Sequence, residues 1–224
     1  MFCDECAGGW LFPGFAYRVA GYLPLFSRSF YTDHANDTPM KRIAILSSSV
    51  RSGRLSHRVA LYLECYLERS GLAAAEVLDL KRYDFPLFDE RFAFQTHPSR
   101  RLFDFTRRLF SADGIIVVTP VYNADFPASL KNAIDLYYEE WVGKPVAVVS
   151  VTSGQVPGIA TVQKLQTLLL KLEARVVPGL CTVISVGENF DEQGVPRSAE
   201  QMDALVRPMV EGLLQAADCA CVPA

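Results

Sequence analysis

The 224-residue chain has few of the residues from which many catalytic centres are built. Of its three histidines, His34 and His97 have no partner set for catalysis, and His57, which follows Ser56 on a predicted helix, is expected to be solvated. The sequence therefore predicts no catalytic base. A zinc site is also not expected from the two cysteine pairs. Each pair supplies only two of the roughly four ligands that zinc needs, and neither has a further histidine or cysteine nearby in the sequence. The two pairs are Cys3 with Cys6 and Cys219 with Cys221.

The chain also lacks an excess of positive charge, a long apolar run and a dense cysteine pattern. Its net charge is −3, which gives no basic surface for nucleic acid. Its apolar runs are far shorter than the roughly 20 residues that span a membrane. Six scattered cysteines are too few for a disulfide framework at this size, so a reducing compartment is expected. We therefore expect a cytoplasmic protein with neither nucleic acid nor a membrane as its partner.

Residues 1–39 show no strand or helix periodicity, because glycines and prolines interrupt a segment rich in aromatic residues. Asp4 and Glu5 precede the apolar part, which is unlike a secretory signal. Met40 stands directly before the first apolar strand pattern. We expect residues 1–39 to be a disordered extension or an over-long reading of the start. A hydrophobic partner-binding arm is the alternative, and the folded domain is expected to span residues 40–224.

From Met40 onward, short apolar runs alternate with amphipathic stretches of helical period. Runs that are apolar on both faces favour a parallel sheet covered on both sides. Five predicted strands cover residues 43–46, 76–80, 114–120, 145–151 and 176–186, the last interrupted at Pro178-Gly179. Five predicted helices follow the strands, the last one containing Pro208, which should kink it. This alternation predicts an α/β fold with a doubly wound parallel sheet.

Ligands of such sheets bind at the carboxyl ends of the strands, so three loops should share one crevice. These loops are residues 47–56, 120–126 and 152–158. The first loop lies between a strand and a helix, where backbone N–H groups are free. It adds serine hydroxyls together with Arg51 and Arg54, and contains no carboxylate. The arrangement suits a terminal phosphate; the alternative is a serine-rich turn with solvated arginines.

No Gly-x-Gly-x-x-Gly or Walker sequence follows the first strand, so a dinucleotide or P-loop site is not expected. The second loop opens a longer pattern, Thr-Pro-Val-Tyr-Asn-Ala-Asp-Phe-Pro-Ala-Ser-Leu-Lys-Asn-Ala-Ile-Asp, at residues 119–135. This pattern resembles the NADPH-dependent FMN reductase family, flavodoxin-like flavoproteins that include quinone, azo and chromate reductases. Residues 48–54 and Ser153-Gly154 resemble the family's first and third loops. The resemblance covers residues 40 to about 187.

The resemblance implies a flavodoxin-like sheet of five parallel strands that holds FMN. It assigns the FMN phosphate to four residues: Ser49, Arg51, Arg54 and Ser56. It assigns the flavin ring and ribityl chain to seven more: Pro120, Val121, Tyr122, Asn123, Ser153, Gly154 and Gln155. Hydride is expected from NADPH or NADH, and electrons are expected to pass to a small-molecule acceptor such as a quinone, azo compound, metal oxyanion or free flavin. Family members usually form homodimers or homotetramers, and the aromatic-rich helix near residues 99–112 suits such a contact.

Three departures from the family pattern concern ring binding more than phosphate binding. Ser48 replaces a glycine, Val121 replaces a glutamate, and Pro157-Gly158 replaces a glycine pair. An alternative function is a flavodoxin-type FMN electron carrier without nicotinamide turnover. A further alternative is a flavin-free binding protein, since one fold serves many functions.

Overall fold

The computed structural model describes residues 40–219 of the chain. The expectations for residues 1–39 and for Cys221 lie outside the described residues. Within them, the strands are β1 (Arg42–Ser47), β2 (Ala74–Asp79), β3 (Gly114–Pro120), β4 (Pro145–Val151), β5 (Arg175–Val176) and β6 (Cys181–Val183). The helices are α1 (Ser56–Arg69), α2 (Leu80–Tyr83), α3 (Arg100–Ser111), α4 (Ala128–Asp135), α5 (Ile159–Lys171), α6 (Val186–Asn189) and α7 (Ala199–Cys219). A 3-10 turn covers Phe92–Phe94.

The strands form one parallel sheet in the order β2-β1-β3-β4-β5, with β6 also paired to β4. This order confirms the predicted doubly wound, flavodoxin-like fold. The predicted fifth strand is divided into two short strands that pair with opposite ends of β4. Pro178 and Gly179 lie between them, and Gly179 has a φ of 112°, which only glycine adopts readily. The chain therefore leaves the sheet at the interruption seen in the sequence.

One helix differs from the sequence expectations. The segment after β2 begins with the short helix α2, which is not among the five predicted helices, and Asp79 caps it by accepting a hydrogen bond from Lys81 N at 3.0 Å. The last helix continues through Pro208 as a single element. At its start, Ser198 Oγ accepts a hydrogen bond from Gln201 N at 3.4 Å. No helix among residues 40–219 is long and apolar enough to cross a membrane.

The sheet separates two hydrophobic clusters, because successive side chains of a strand point to opposite faces. On one face, Ile43 and Ile45 of β1 pack with α1 and α7. On the other, Ala44 and Leu46 pack with α3, α4 and α5. Strands β1, β3 and β4 are thus apolar on both faces, as the sequence predicted. Helices on both faces fix the strand ends from which the loops of the site emerge.

Candidate functional site

The three predicted loops meet at the carboxyl ends of β1, β3 and β4, which are neighbours in the sheet. They enclose a cleft of about 750 Å³ together with the first turn of α5. The cleft is lined by ten of the eleven residues predicted to bind the cofactor: Ser49, Arg51, Arg54, Ser56, Pro120, Val121, Tyr122, Ser153, Gly154 and Gln155. Asn123 is not among the residues that line it. A smaller cavity of about 400 Å³ near α2 and α4 contains none of the eleven.

The first loop (residues 47–56) is joined to the second by a pair of hydroxyl groups. Ser49 is fully buried, and its Oγ lies 2.8 Å from Tyr122 OH. Ser49 Oγ also accepts a weaker hydrogen bond from Arg51 N at 3.4 Å. Ser48 O accepts from Ser129 Oγ at 2.7 Å, which ties the same loop to α4. The first loop is therefore held by side chains from two other segments.

The expectation that no acid accompanies the two arginines is wrong for Arg54. Its Nη1 and Nη2 donate to Asp79 Oδ1 and Oδ2 at 2.5 and 2.6 Å, and Nη1 also donates to Ser49 O at 2.7 Å. Burial acts to raise the pKa of Asp79, but the hydrogen bonds and charge of Arg54 outweigh it and leave the pKa below its usual value. Sequence reasoning missed Asp79, although it ends the strand beside β1 and is the register partner of Ser47.

Arg51 differs from Arg54 in its surroundings. It is exposed, lines the cleft, and its guanidinium has no ion pair or hydrogen bond within residues 40–219. A guanidinium in this state can form a bidentate contact with a phosphate or carboxylate. Arg51 therefore supplies the free positive charge on this side of the cleft.

Ser56, the first residue of α1, provides a test of whether an anion fits the cleft. Its side chain is buried, yet its Oγ has no hydrogen-bond partner among the described residues. Leu55 precedes it and supplies no side-chain cap, so the N–H groups at the start of α1 lack that partner as well. A phosphate group at this end of the cleft would satisfy these donors, so the residues present fit a phosphorylated ligand.

His57 follows Ser56 but bonds away from the cleft. Its Nδ1 lies 3.0 Å from Ser47 Oγ, and the ring is half-buried. Burial lowers the pKa of His57, and the positive charge of Arg54 lowers it further. The imidazole is therefore neutral near pH 7, and its contact with Ser47 supports the start of the first loop rather than a ligand.

The second loop turns sharply after β3. Tyr122 and Asp125 exchange backbone hydrogen bonds of 2.8 and 3.0 Å, and Asn123 and Ala124 between them have φ values of 54° and 59°. Two residues with positive φ form a tight turn of the type that favours asparagine. Asn123 is exposed at this turn and acts as a turn former rather than lining the cleft. Tyr122 is thereby directed toward the cleft and toward Ser49.

The third loop and the start of α5 form the opposite wall. Gln155 Nε2 donates to Ser185 Oγ at 2.8 Å, which joins this loop to the segment before α6. Gly158 packs so closely that a Cβ there would lie 2.5 Å from Val121 Cγ2 and 2.7 Å from Ser150 Oγ. Val121, which stands where the family has a glutamate, therefore packs closely against Gly158, the N-cap residue of α5. No local sequence pattern indicates this contact.

The topological switch point of the sheet lies between β1 and β3, because β2 is added on one side of β1 and the later strands on the other. The cleft lies at the carboxyl ends of these two strands. Flavodoxin-like sheets bind their ligands at this point. A cleft whose one end combines a free arginine, a partnerless buried hydroxyl and a helix start defines a protein that binds a phosphorylated ligand. Among residues 40–219 no group of three or more histidine, cysteine or acidic side chains could hold a metal ion.

Comparison with known proteins gives the family. The sequence pattern of the family described as NADPH-dependent FMN reductase matches residues 41–188, more than half of the chain. The NAD(P)H-dependent FMN reductase LOT6 of Saccharomyces cerevisiae is 35% identical over 159 residues, which cover 65% of this chain and 82% of that protein. A quinone reductase of Pseudomonas putida is 33% identical over 138 residues, covering 58% and 70%.

The chain therefore belongs to the NADPH-dependent FMN reductase family. It is an FMN-dependent oxidoreductase that uses NAD(P)H, as the resemblance in the second loop predicted. The solved structure of FerB from Paracoccus denitrificans, a flavoenzyme NAD(P)H:(acceptor) oxidoreductase, has the same fold. It superposes with a TM-score of 0.67 at 22% identity, covering 80% of this chain and 98% of FerB.

Proposed function

We propose that the cleft between the three loops holds FMN and that the protein transfers electrons from NADPH or NADH to a small acceptor there. The observation that carries this proposal is the convergence of ten predicted cofactor residues on one cleft at the switch point of the sheet. FMN, when bound, supplies the hydride and electron transfer, so the chain has only to bind and orient its ligands.

The first loop is the phosphate end in this proposal. Arg51 contributes a free guanidinium, Ser56 a buried hydroxyl without a partner, and α1 its N-terminal N–H groups. Charge-assisted hydrogen bonds of this kind contribute about 1.5–3 kcal/mol each. The dipole of α1 adds roughly 0.3–1 kcal/mol. Arg54 supports the loop through Ser49 O and Asp79 instead of offering a second free charge.

The second and third loops form the ring end. Val121 and Tyr122 give an apolar and aromatic wall, and residues Ser153 to Gln155 bring backbone groups to the opposite side. Thr161 Oγ1 in the first turn of α5 is fully buried, lines the cleft and has no partner among the described residues. Polar donors at this wall suit the carbonyl-rich edge of a flavin, and the start of α5 favours negative charge there.

A quinone, an azo compound, a metal oxyanion or free flavin is the proposed class of acceptor. The quinone reductase of Pseudomonas putida supports a quinone as the first acceptor to test. Among residues 40–219, the cleft is lined by no side-chain acid or base besides the arginines and Tyr122, whose hydroxyl is bonded to Ser49, so proton transfer to the acceptor is assigned to solvent. The proposal thus needs an acceptor that enters the cleft and reacts with bound flavin directly.

Anaerobic rapid mixing tests the proposal. Protein loaded with FMN should lose its flavin absorbance when mixed with NADPH or NADH, and a quinone, an azo dye or chromate should restore it in a second mix. The acceptor that restores it fastest defines the class. If neither nucleotide bleaches fully loaded protein within minutes, the electron-carrier function replaces this proposal.

We further propose that the protein acts in the cytoplasm as a homodimer or homotetramer. Phe110 on α3 and Leu87 and Phe94 in the preceding segment are exposed apolar side chains that suit a contact between copies. Sedimentation of the full chain at several concentrations distinguishes monomer, dimer and tetramer. A monomer at all concentrations would contradict this part of the proposal without affecting the assignment of the cleft.

A further inference from the structure

Asp79 is a carboxylate buried beneath the first loop, with 4% of its surface exposed. It ends β2, and its register partner is Ser47, from which the first loop starts. Its two oxygens accept hydrogen bonds from the two terminal nitrogens of Arg54 at 2.5 and 2.6 Å. Two parallel bonds fix both the position and the plane of a guanidinium. Arg54 therefore has one orientation in this structure, set by a residue outside the loop.

The same guanidinium reaches the middle of the first loop. Arg54 Nη1 donates to Ser49 O at 2.7 Å, and Ser49 is the residue whose hydroxyl meets Tyr122. The backbone of Asp79 is held by its pairing in β2, and its side chain by the hydrogen bond that Oδ1 accepts from Lys81 N. A continuous series of contacts thus runs from the strand end through the carboxylate and guanidinium to the loop carbonyl.

We propose that Asp79 is a positioning residue for the ligand phosphate: it holds Arg54 so that the first loop keeps the shape that binds the phosphate. The inference rests on the proposed function, since it requires the phosphate of FMN at the first loop. It assigns different roles to the two arginines. Arg51 binds the phosphate with its free guanidinium. Arg54 stabilises the shape of the loop through its hydrogen bond to Ser49 O.

Considered by its charge alone, Asp79 should weaken FMN binding, whereas a positioning role should strengthen it. The change in FMN affinity when Asp79 is replaced therefore distinguishes the two roles by its sign. A carboxylate close to an anionic ligand opposes binding and cancels the charge of Arg54. Arg82 Nε lies 3.7 Å from Asp79 Oδ2 on the solvent side, and the neutral His57 faces the same group. If Asp79 only masked Arg54, its removal would tighten FMN binding; if it positions Arg54, its removal weakens binding.

Burial favours positioning. The Arg54 side chain is 12% exposed, so a guanidinium that loses its partner there must move toward water or remain unpaired. Movement toward water breaks the bond from Arg54 to Ser49 O and releases the first loop. A loop that must be ordered again at each binding event binds more weakly.

The decisive experiment compares FMN and riboflavin binding to full-length wild-type protein and to Asp79→Asn, by titration of flavin fluorescence. We expect Asp79→Asn to raise the Kd for FMN roughly tenfold, as for the loss of one charge-assisted contact. The Kd for riboflavin should change by less than about twofold, because riboflavin has no phosphate to use the loop. Unchanged or tighter FMN binding by Asp79→Asn overturns the inference. Failure of the wild type to bind FMN overturns the proposed function instead.

Two further variants show whether Asp79 acts through Arg54. The double variant Arg54→Gln with Asp79→Asn should bind FMN no more weakly than Arg54→Gln alone, whereas additive losses contradict action through Arg54. Asp203→Asn is the matched control, since Asp203 also pairs with an arginine, Arg69, but does so between α1 and α7, where it accepts a further hydrogen bond from Tyr62. It should lower the urea midpoint without changing the Kd for FMN.

If Asp79→Asn does not fold, Arg54→Lys answers the same question. Lysine keeps the positive charge and loses the two-pronged contact with Asp79. Weaker FMN binding with unchanged riboflavin binding supports the inference, and equal weakening of both ligands contradicts it.

Discussion

Ser49 Oγ and Tyr122 OH lie 2.8 Å apart, although 73 residues separate them in the chain. The contact joins the loop after β1 to the loop after β3. One loop is proposed to hold the phosphate of FMN and the other its ring. This hydrogen bond therefore helps to fix their relative position, together with the bond from Ser129 Oγ to Ser48 O.

Replacing Tyr122 by phenylalanine removes this hydrogen bond and leaves the buried Ser49 hydroxyl with only the 3.4 Å contact to Arg51 N. We expect a loss of about 1 kcal/mol in the free energy of unfolding of the flavin-free protein. Urea denaturation measures it. Tyr138→Phe is the control, because the Tyr138 hydroxyl bonds Glu173 at the surface at 3.2 Å. A Tyr122 variant as stable as that control would show that the bond between the loops contributes nothing.

Replacing Arg51 by alanine removes the free guanidinium of the first loop. FMN binding should weaken by on the order of 2 kcal/mol, a factor of about thirty. Riboflavin binding should hardly change, because riboflavin has no phosphate. Fluorescence titration of both ligands gives the comparison, with Arg107→Ala on α3 as a surface control. Equal weakening of both ligands would mean that Arg51 supports the loop and does not meet the phosphate.

Replacing Gly158 by alanine places a methyl group 2.5 Å from Val121 Cγ2 and 2.7 Å from Ser150 Oγ. The backbone of Gly158 has a φ of −83°, which alanine also adopts, so the expected cost is steric. We expect about 1–3 kcal/mol of lost stability in the flavin-free protein. The double variant Gly158→Ala with Val121→Ala should recover part of it. A neutral single substitution would contradict the close packing of α5 against the second loop.

Glu140 predicts a pH dependence of stability. It is 5% exposed, and its carboxylate accepts hydrogen bonds from Thr106 Oγ1 and Tyr138 N at 3.4 and 3.2 Å. Burial raises the pKa of Glu140, and these hydrogen bonds only partly oppose the effect. A raised pKa in the folded state stabilises the protein below the unfolded-state pKa, and this contribution is lost as pH rises through the folded-state pKa.

The variant Glu140→Gln removes this titration. The stability difference between wild type and variant should therefore fall as pH rises from about 4, by at most about 1.4 kcal/mol per pH unit. Urea denaturation of both proteins between pH 4 and 8 measures it. A difference that stays constant with pH would show that Glu140 titrates alike in the folded and unfolded chains.

The proposed domain start at Met40 predicts that a chain beginning there folds and binds FMN with unchanged affinity. The reason is the loss of strand and helix periodicity before this residue. Expression of residues 40–224 and a flavin titration test it. Insoluble protein, or weaker FMN binding, would show instead that the aromatic segment packs against the domain or a partner.

The sequence by itself determined the order of the four longer strands and the five longer helices, and the three loops of the site. These features depend on local patterns, because apolar runs, helical periodicity and turn residues can each be recognised within a short window of the chain. The interruption of the last strand region at Pro178-Gly179 is of this kind. The long pattern that begins at Thr119 also identified the family, because it combines many fixed positions.

The tertiary structure decided which side chains of those loops are free. Asp79 lies outside all three loops, and only the pairing of β2 with β1 brings it to Arg54. The bond between Ser49 and Tyr122 and the packing of Val121 on Gly158 likewise depend on the adjacency of strands. Hydrogen bonds and steric contacts act over a few ångströms in space, and distance along the chain does not reveal them. For that reason only the tertiary structure distinguishes the two arginines of the first loop. Arg51 has a free guanidinium, whereas Arg54 is paired with Asp79 and holds the loop through Ser49 O.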